Sequence, residues 1–227
     1  MTKAPRQRSA VLAGMALLIA AGFIALGIWQ IERRAWKHAL IAQVESRIHA
    51  DPVDAPTRVT PERDAYRRVR ATGLFLHDRE TLVQAVTDRG GGYWVITPLK
   101  TRNFTVLINR GFVPSRAARH PTSGEVTITG LLRITEPEGA FLRTNNPTAN
   151  RWYSRDVTAI AKALNLRNVA PYFIDADATT NAKGQPIGGL TVVRFNDHHL
   201  IYAITWFALA GMSLWAAWQL SRTRTIR

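Results

Sequence analysis

Two stretches without a single charged side chain lie near the ends of this chain, and they constrain its fold more than any other feature. SAVLAGMALLIAAGFIALGIWQ runs for 22 residues from Ser9 to Gln30, and LIYAITWFALAGMSLWAAWQL for 21 from Leu200 to Leu220. Crossing roughly 30 Å of hydrocarbon at about 1.5 Å per residue takes about 20 apolar residues in a helix. Both stretches are therefore read as transmembrane helices. A cleaved signal peptide is the rival for the first. Its apolar part, however, usually spans about 7 to 15 residues and ends at a small-x-small site, whereas this run closes on Trp29-Gln30 and charged residues. Few residues precede Ser9, which argues against a mitochondrial transit peptide and favours a bacterial inner membrane.

Flanking cations give the orientation. Arg222, Arg224 and Arg227 follow the second helix, while Arg194 and the acidic Asp197 precede it, so the C-terminus is expected in the cytoplasm. Two spans return the N-terminus to the same side. The expected layout is a cytoplasmic tail (1–8), a first span (9–31), an extracytoplasmic domain (32–198), a second span (199–220) and a second cytoplasmic tail (221–227).

A net charge of +14 and a pI near 11.2 would ordinarily suggest nucleic acid. Six of the thirty Lys and Arg lie in the tails, leaving 24 against all 16 acids and +8 on the domain. On a domain outside the cytoplasm, that surplus fits a solvated surface beside anionic lipid, with no nucleic-acid partner. There is no cysteine, and Met occurs only at positions 1, 15 and 212. Disulfides, covalent haem attachment and thiolate or thioether copper sites are thereby excluded.

Beyond Gln30 the helical pattern continues through Trp36, Leu40, Val44 and Ile48 and should end before Pro52, with Pro56 and Pro61 keeping the next segment extended. Then come short runs rich in β-branched and aromatic residues: TLVQAVT, GYWVITPL, FTVLINRGFVP, GEVTITGLLRI, PYFIDA and LTVVRF. Separated by Gly, Pro, Asn and Asp, they predict antiparallel hairpins. SRDVTAIAKALNL carries a helical stripe, with Ser154 as the candidate N-cap. The fold class expected is an α+β membrane protein. Two transmembrane helices flank an antiparallel sheet, open or closed into a small barrel, with one or two helices.

No Gly-rich phosphate loop, G-x-S-x-G elbow, H-E-x-x-H or carboxylate cluster is present, so no enzyme is expected. Chemistry concentrates instead at the start of the second helix, FNDHHLIYAITWF. At about 100° per residue, Asn196, His199, Tyr202 and Trp206 share one arc, continued inward by Ala203, Ala210, Ser213 and Ala217, while His198 points elsewhere. A polar, aromatic mouth over small residues admits another helix or a flat ligand. The first helix ends on Trp29, Arg33 and Trp36 with Gln30, Arg34 and Lys37 alongside. Interfacial aromatics and snorkelling cations explain both ends equally well without any ligand.

GIWQIERRAWK resembles the exit of the first helix in the Surfeit locus protein 1 family, the cytochrome oxidase assembly factors. GYWVITPL with VLINRGFVP, VTITGLLR, NRWYSRD and NDHHLIYAITWFALA resemble further motifs of that family, in the same order and over nearly the whole chain. Phe112 stands where many members have Trp, and Asp197-His198 replaces another polar pair; the family's histidine aligns with His199.

The resemblance implies an assembly factor for a haem-copper terminal oxidase. It would bind haem of a or o type transiently and help insert it into subunit I of a cytochrome c or quinol oxidase, with haem synthases as further partners. His199 would ligate the iron, Tyr202, Trp206 and Trp29 would flank the macrocycle, and Arg33 and Lys37, with Arg34 or Arg194, would meet the propionates. A scaffold that stabilises the oxidase subunit without touching haem is the alternative. A haem-modifying enzyme lacks any catalytic constellation.

Overall fold

The computed structural model describes residues 5–116, 123–137, 139, 143–178, 186–190 and 197–222. Two compact units emerge: the first is the chain up to Gln43 together with Arg194–Arg227, the second Val44–Val193. Helix α1 is continuous over Pro5–His49, ending before Pro52 as the sequence predicts, and α4 spans His199–Arg222. Both are long and apolar enough to cross a membrane.

The first unit is an antiparallel helix pair. On α1 the positions withdrawn from solvent include Ala13, Ala16, Ala20, Phe23, Gly27 and Gln30; on α4 they include His199, Ala203, Trp206, Ala210, Ser213 and Ala217. Both sets alternate steps of three and four residues, the spacing of a left-handed coiled-coil seam. Small residues along this seam let the helices pack closely. Phe23 stacks on Trp206 with ring centroids 5.6 Å apart. A Cβ on Gly27 would lie 2.7 Å from the Phe207 ring, so any side chain there requires that ring to move.

The second unit carries β1 (Val53–Asp54), α2 (Pro61–Asp64), β2 (Arg68–Phe75), β3 (Thr81–Thr87), β4 (Gly90–Lys100), β5 (Thr105–Val113), β6 (Glu125–Ile134), α3 (Val157–Ala163) and β7 (Val169–Ala176). Sheet order is β1-β2-β6-β7-β5-β4-β3, and β2 also pairs with β4 through Leu74↔Lys100 and Phe75↔Leu99. That pairing closes five strands, β2, β6, β7, β5 and β4, into a small barrel. Gly73 permits the closure, because a Cβ there would lie 2.3 Å from the Lys100 carbonyl oxygen.

The sheet departs from a purely antiparallel one. β5 pairs with β7 in parallel, and β1 with β2 in parallel. Short spacing correctly gives the β3–β4 and β4–β5 hairpins, but β6 follows β5 in sequence and pairs with β2 and β7 instead. The run LTVVRF lies almost wholly outside the described residues, as do Arg194 and Asn196.

Strand alternation divides the core in two. Val106, Ile108, Tyr172 and Ile174 point into the barrel with Val69, Leu99 and Leu132, while Leu107 and Phe173 point out to meet Val83, Ile96, Trp152 and, from α3, Val157 and Ile160. β5 is therefore buried along its whole length. Tyr172 donates its hydroxyl to the Pro56 carbonyl at 2.7 Å, and burial pushes the phenol well above its ordinary pKa, keeping it a donor. The cap of α3 is Asp156, which accepts from the Ala159 amide at 3.0 Å. Ser154, the expected cap, is instead buried two residues earlier and accepts from the Gly139 amide and the Asn145 side chain. Its hydroxyl is already committed to that loop.

Candidate functional site

The residues singled out in sequence converge where α1 and α4 meet near the start of α4. Gln30 brings its Oε1 to 2.7 Å from His199 Nδ1. One turn further along α1, Arg34 Nε lies 3.5 Å from Asp197 Oδ2, and one turn beyond that His38 Nε2 lies 2.5 Å from the same oxygen. The other carboxylate oxygen of Asp197 accepts from the His199 amide at 3.1 Å and so caps α4. The His38 hydrogen bond, with help from the His199 amide and the Arg34 charge, outweighs partial burial and holds the Asp197 carboxyl below the usual carboxylate range. Asp197 thus ties α1 to the first turn of α4.

His199 is half-buried with its ring turned toward α1; His198 is exposed. Trp206 lies one face-repeat deeper, on the Phe23 ring. Tyr202 stands on the flank of this seam and is 55% exposed, and Trp29 is exposed likewise. The structure therefore joins His199 and Trp206 to the packed face and leaves Tyr202 and Trp29 on the outer flanks. Arg33 stacks over Trp36 at 4.0 Å, on the exposed side of α1. Lys37 lies on the same helix, half-buried.

Three participants went unrecognised in the sequence. In the sequence pattern Gln30 stands only beside the basic residues, Asp197 only as an orientation marker and part of a polar pair, and His38 carries no role. The signal was available: Gln30, Arg34 and His38 recur every fourth residue, a single polar stripe on a helix, and Asp197 and His199 are the groups able to answer it.

Haem iron can be held by a single imidazole, and His199 is the ring that would supply one here. Among the described residues no group of three or more His, Cys, Asp or Glu side chains could hold a metal ion. With Nδ1 engaged by Gln30, the imidazole would offer its other ring nitrogen to such a group.

The family model described as SURF1 family matches residues 17–211. Surfeit locus protein 1 of Mus musculus is 38% identical over 225 residues, covering 88% of this chain and 72% of that protein. The Homo sapiens protein of the same name is 37% identical over 226 residues, with 88% and 74% covered. A SURF1-like protein of Monosiga brevicollis is 36% identical over 220 residues, with 88% and 83% covered.

Proposed function

Because the chain belongs to the SURF1 family, we propose that it is an assembly factor for a haem-copper terminal oxidase, which binds haem and helps place it in the catalytic subunit. The observation that carries this reading is the ring of His199, half-buried at the meeting of two apolar helices and anchored through Nδ1, the one ring nitrogen with a hydrogen-bond partner among the described residues. Nε2 would take the iron. Arg33 and Lys37 would meet the propionates at the boundary, and Trp206, Tyr202 and Trp29 would offer flat apolar surface to the macrocycle. Bound haem would supply the redox-active iron that the oxidase needs.

A single axial ligand suits a carrier. Binding must be strong enough to withdraw haem from the bilayer and weak enough to release it to the client, and a second protein ligand would oppose release.

The outward faces of the helix pair support a membrane setting. Leu18 is 75% exposed and Ile201 64% exposed, and Val11, Ile204 and Trp215 are also turned outward. Apolar surface of that extent is unfavourable in water and favourable in lipid. We place both termini in the cytoplasm and the barrel domain outside it, in a bacterial inner membrane.

The test compares two neighbouring histidines. His199→Ala should abolish or greatly shift the Soret band of haem-loaded purified protein at unchanged protein yield, and the terminal oxidase should accumulate with less haem. His198→Ala should do much less, because its side chain is exposed and off the seam. Loss of an axial ligand removes several kcal/mol, against a few tenths for a surface histidine. Equal and small effects at both positions would instead support a scaffold that stabilises the oxidase subunit without binding haem.

A further inference from the structure

One nitrogen of the His199 ring already has a partner, and the chemistry of that partner decides what the other nitrogen can do. The atom 2.7 Å from Nδ1 is the carboxamide oxygen of Gln30. A carboxamide oxygen accepts and cannot donate. The hydrogen bond therefore requires the proton on Nδ1, and a neutral imidazole protonated there keeps its free electron pair on Nε2. The backbone holds the arrangement from both sides. Asp197 caps the first turn of α4 through the His199 amide, and Gln30 sits one turn along α1 from Gly27, whose missing side chain lets the helices approach.

We propose that Gln30 is a positioning residue that locks His199 in its Nδ1-protonated tautomer and so presents Nε2 to a metal. The metal half of this inference rests on the haem reading above; the tautomer half does not. The choice of an amide over a carboxylate also has a consequence. A carboxylate on Nδ1–H draws the imidazole toward imidazolate and makes it a stronger donor to iron, whereas an amide fixes tautomer and ring orientation with less effect on basicity. A carrier that must release its haem is served by the weaker acceptor.

Two measurements test it on the full-length protein in detergent or nanodiscs. The first needs no haem. In ¹⁵N-histidine-labelled protein, two-bond ¹H–¹⁵N correlations report which ring nitrogen carries the proton, and the signals lost in His199→Ala assign the residue. Wild type should show His199 protonated at Nδ1, Gln30→Glu should keep that form, and Gln30→Leu should shift it toward the Nε2-protonated form. An Nε2-protonated His199 in wild type, or a tautomer unmoved in Gln30→Leu, overturns the lock. Should Gln30→Leu fail to accumulate, the wild-type spectrum and Gln30→Glu still decide the matter.

The second measurement titrates ferric protoporphyrin IX into the same proteins. Loss of an orienting partner behind a metal ligand commonly costs about 10-fold to 100-fold in affinity, so Gln30→Leu should weaken binding by that factor. Gln30→Glu should bind at least as tightly as wild type, release haem more slowly and show a lower reduction potential. Equal affinity and identical spectra in all three proteins overturn the role of Gln30 in ligation. Failure of wild type to bind the porphyrin at all, with the tautomer result intact, overturns the haem reading and leaves the lock standing.

Discussion

Asn109 donates its side-chain amide to Asp175 at 2.7 Å across the parallel β5–β7 pair, and both residues are buried. Around that bond the domain assembles its internal charges. Arg133 Nη1 reaches Asp175 at 2.7 Å and Arg155 Nη1 at 3.2 Å, while Arg155 is held a second time by Glu136 at 2.6 and 2.9 Å. Burial disfavours the Arg155 charge, but Asp175 and Glu136 more than offset it and raise its pKa above the usual value. Asp175→Ala would leave two guanidinium groups facing an emptied position. Removing one partner of a buried ion pair costs about 3–5 kcal/mol, a large share of a total stability of about 5–15 kcal/mol. Urea unfolding of the purified protein should show a midpoint shift of that size, and a shift below about 1 kcal/mol would mean that the arginines find water instead.

Much of this domain is written in local patterns, and what is missed has a physical reason. TLVQAVT corresponds to β3 residue for residue, because it is rich in β-branched residues between turn-forming neighbours, although its buried face is Thr81, Val83 and Ala85 and Val86 is exposed. β2 was not recognised, since its inward positions include Ala71 and Gly73, which give almost no hydrophobic signal, while Arg68 and Arg70 dominate the stretch. Parallel pairing of β5 with β7 depends on partners about 65 residues apart, and the Asn109–Asp175 bond is one such pair. At the helix pair, the small-residue face of α4 is legible from Ala203, Ala210 and Ala217, whereas the Gln30–His199 contact joins residues 169 apart, and the local stripe of Gln30, Arg34 and His38 shows one side of it without fixing the partner.

Gly111 should tolerate no side chain. Its φ is +129° and it lies in the β-bulge where Arg110 and Gly111 together oppose Val95 of β4, so a Cβ would come within 2.2 Å of the Ile187 carbonyl oxygen. A non-glycine residue in such a conformation costs roughly 1–3 kcal/mol before the overlap is counted. Gly111→Val should therefore lower the amount of protein in membranes, read by immunoblot, before it alters any haem signal in the protein that remains. Normal abundance with lost oxidase activity would assign this loop to a client interface.

Acid should weaken the domain partly through Asp64. This buried carboxylate takes hydrogen bonds from the Arg63 side chain and the Thr60 amide, and these with the charges of Arg63 and Arg67 lower its pKa despite burial. A carboxyl with a depressed native pKa stabilises the fold fully above its unfolded pKa of about 3.9, and that contribution is lost as pH falls through the native value. Stability measured between pH 7 and pH 3 should fall less steeply at the acid end in Asp64→Asn than in wild type, although the variant starts lower. Parallel curves would assign the acid sensitivity to other carboxylates.

The helix pair should respond to bulk at Gly27 in proportion to size. Alanine there meets only the edge of the Phe207 ring at 2.7 Å, which a ring rotation can relieve, whereas leucine must push the helices apart. Because the chain has no native cysteine, a short bis-maleimide can report the spacing between Ala13→Cys and Ala217→Cys, which line a common groove. Cross-linking should persist with Gly27→Ala and fall sharply with Gly27→Leu. Equal yields in both would mean that this seam does not depend on close approach.

Topology can be tested without reference to haem. If both helices span the bilayer with the Arg-rich end of α4 in the cytoplasm, as proposed, Thr101 in the β4–β5 turn lies outside. Alkaline phosphatase, which folds only where its disulfides can form, should be active when fused after Thr101 and inactive when fused after Arg227. A fluorescent protein that matures only in the cytoplasm should give the opposite pattern. The outcome bears directly on the proposed handover, because His199 stands at the domain end of α4 and Arg222 at its other end, about 35 Å away along a helix rising about 1.5 Å per residue. Were the phosphatase active only at the C-terminus, the His199 site would lie at the cytoplasmic face, and haem would have to be acquired and delivered there.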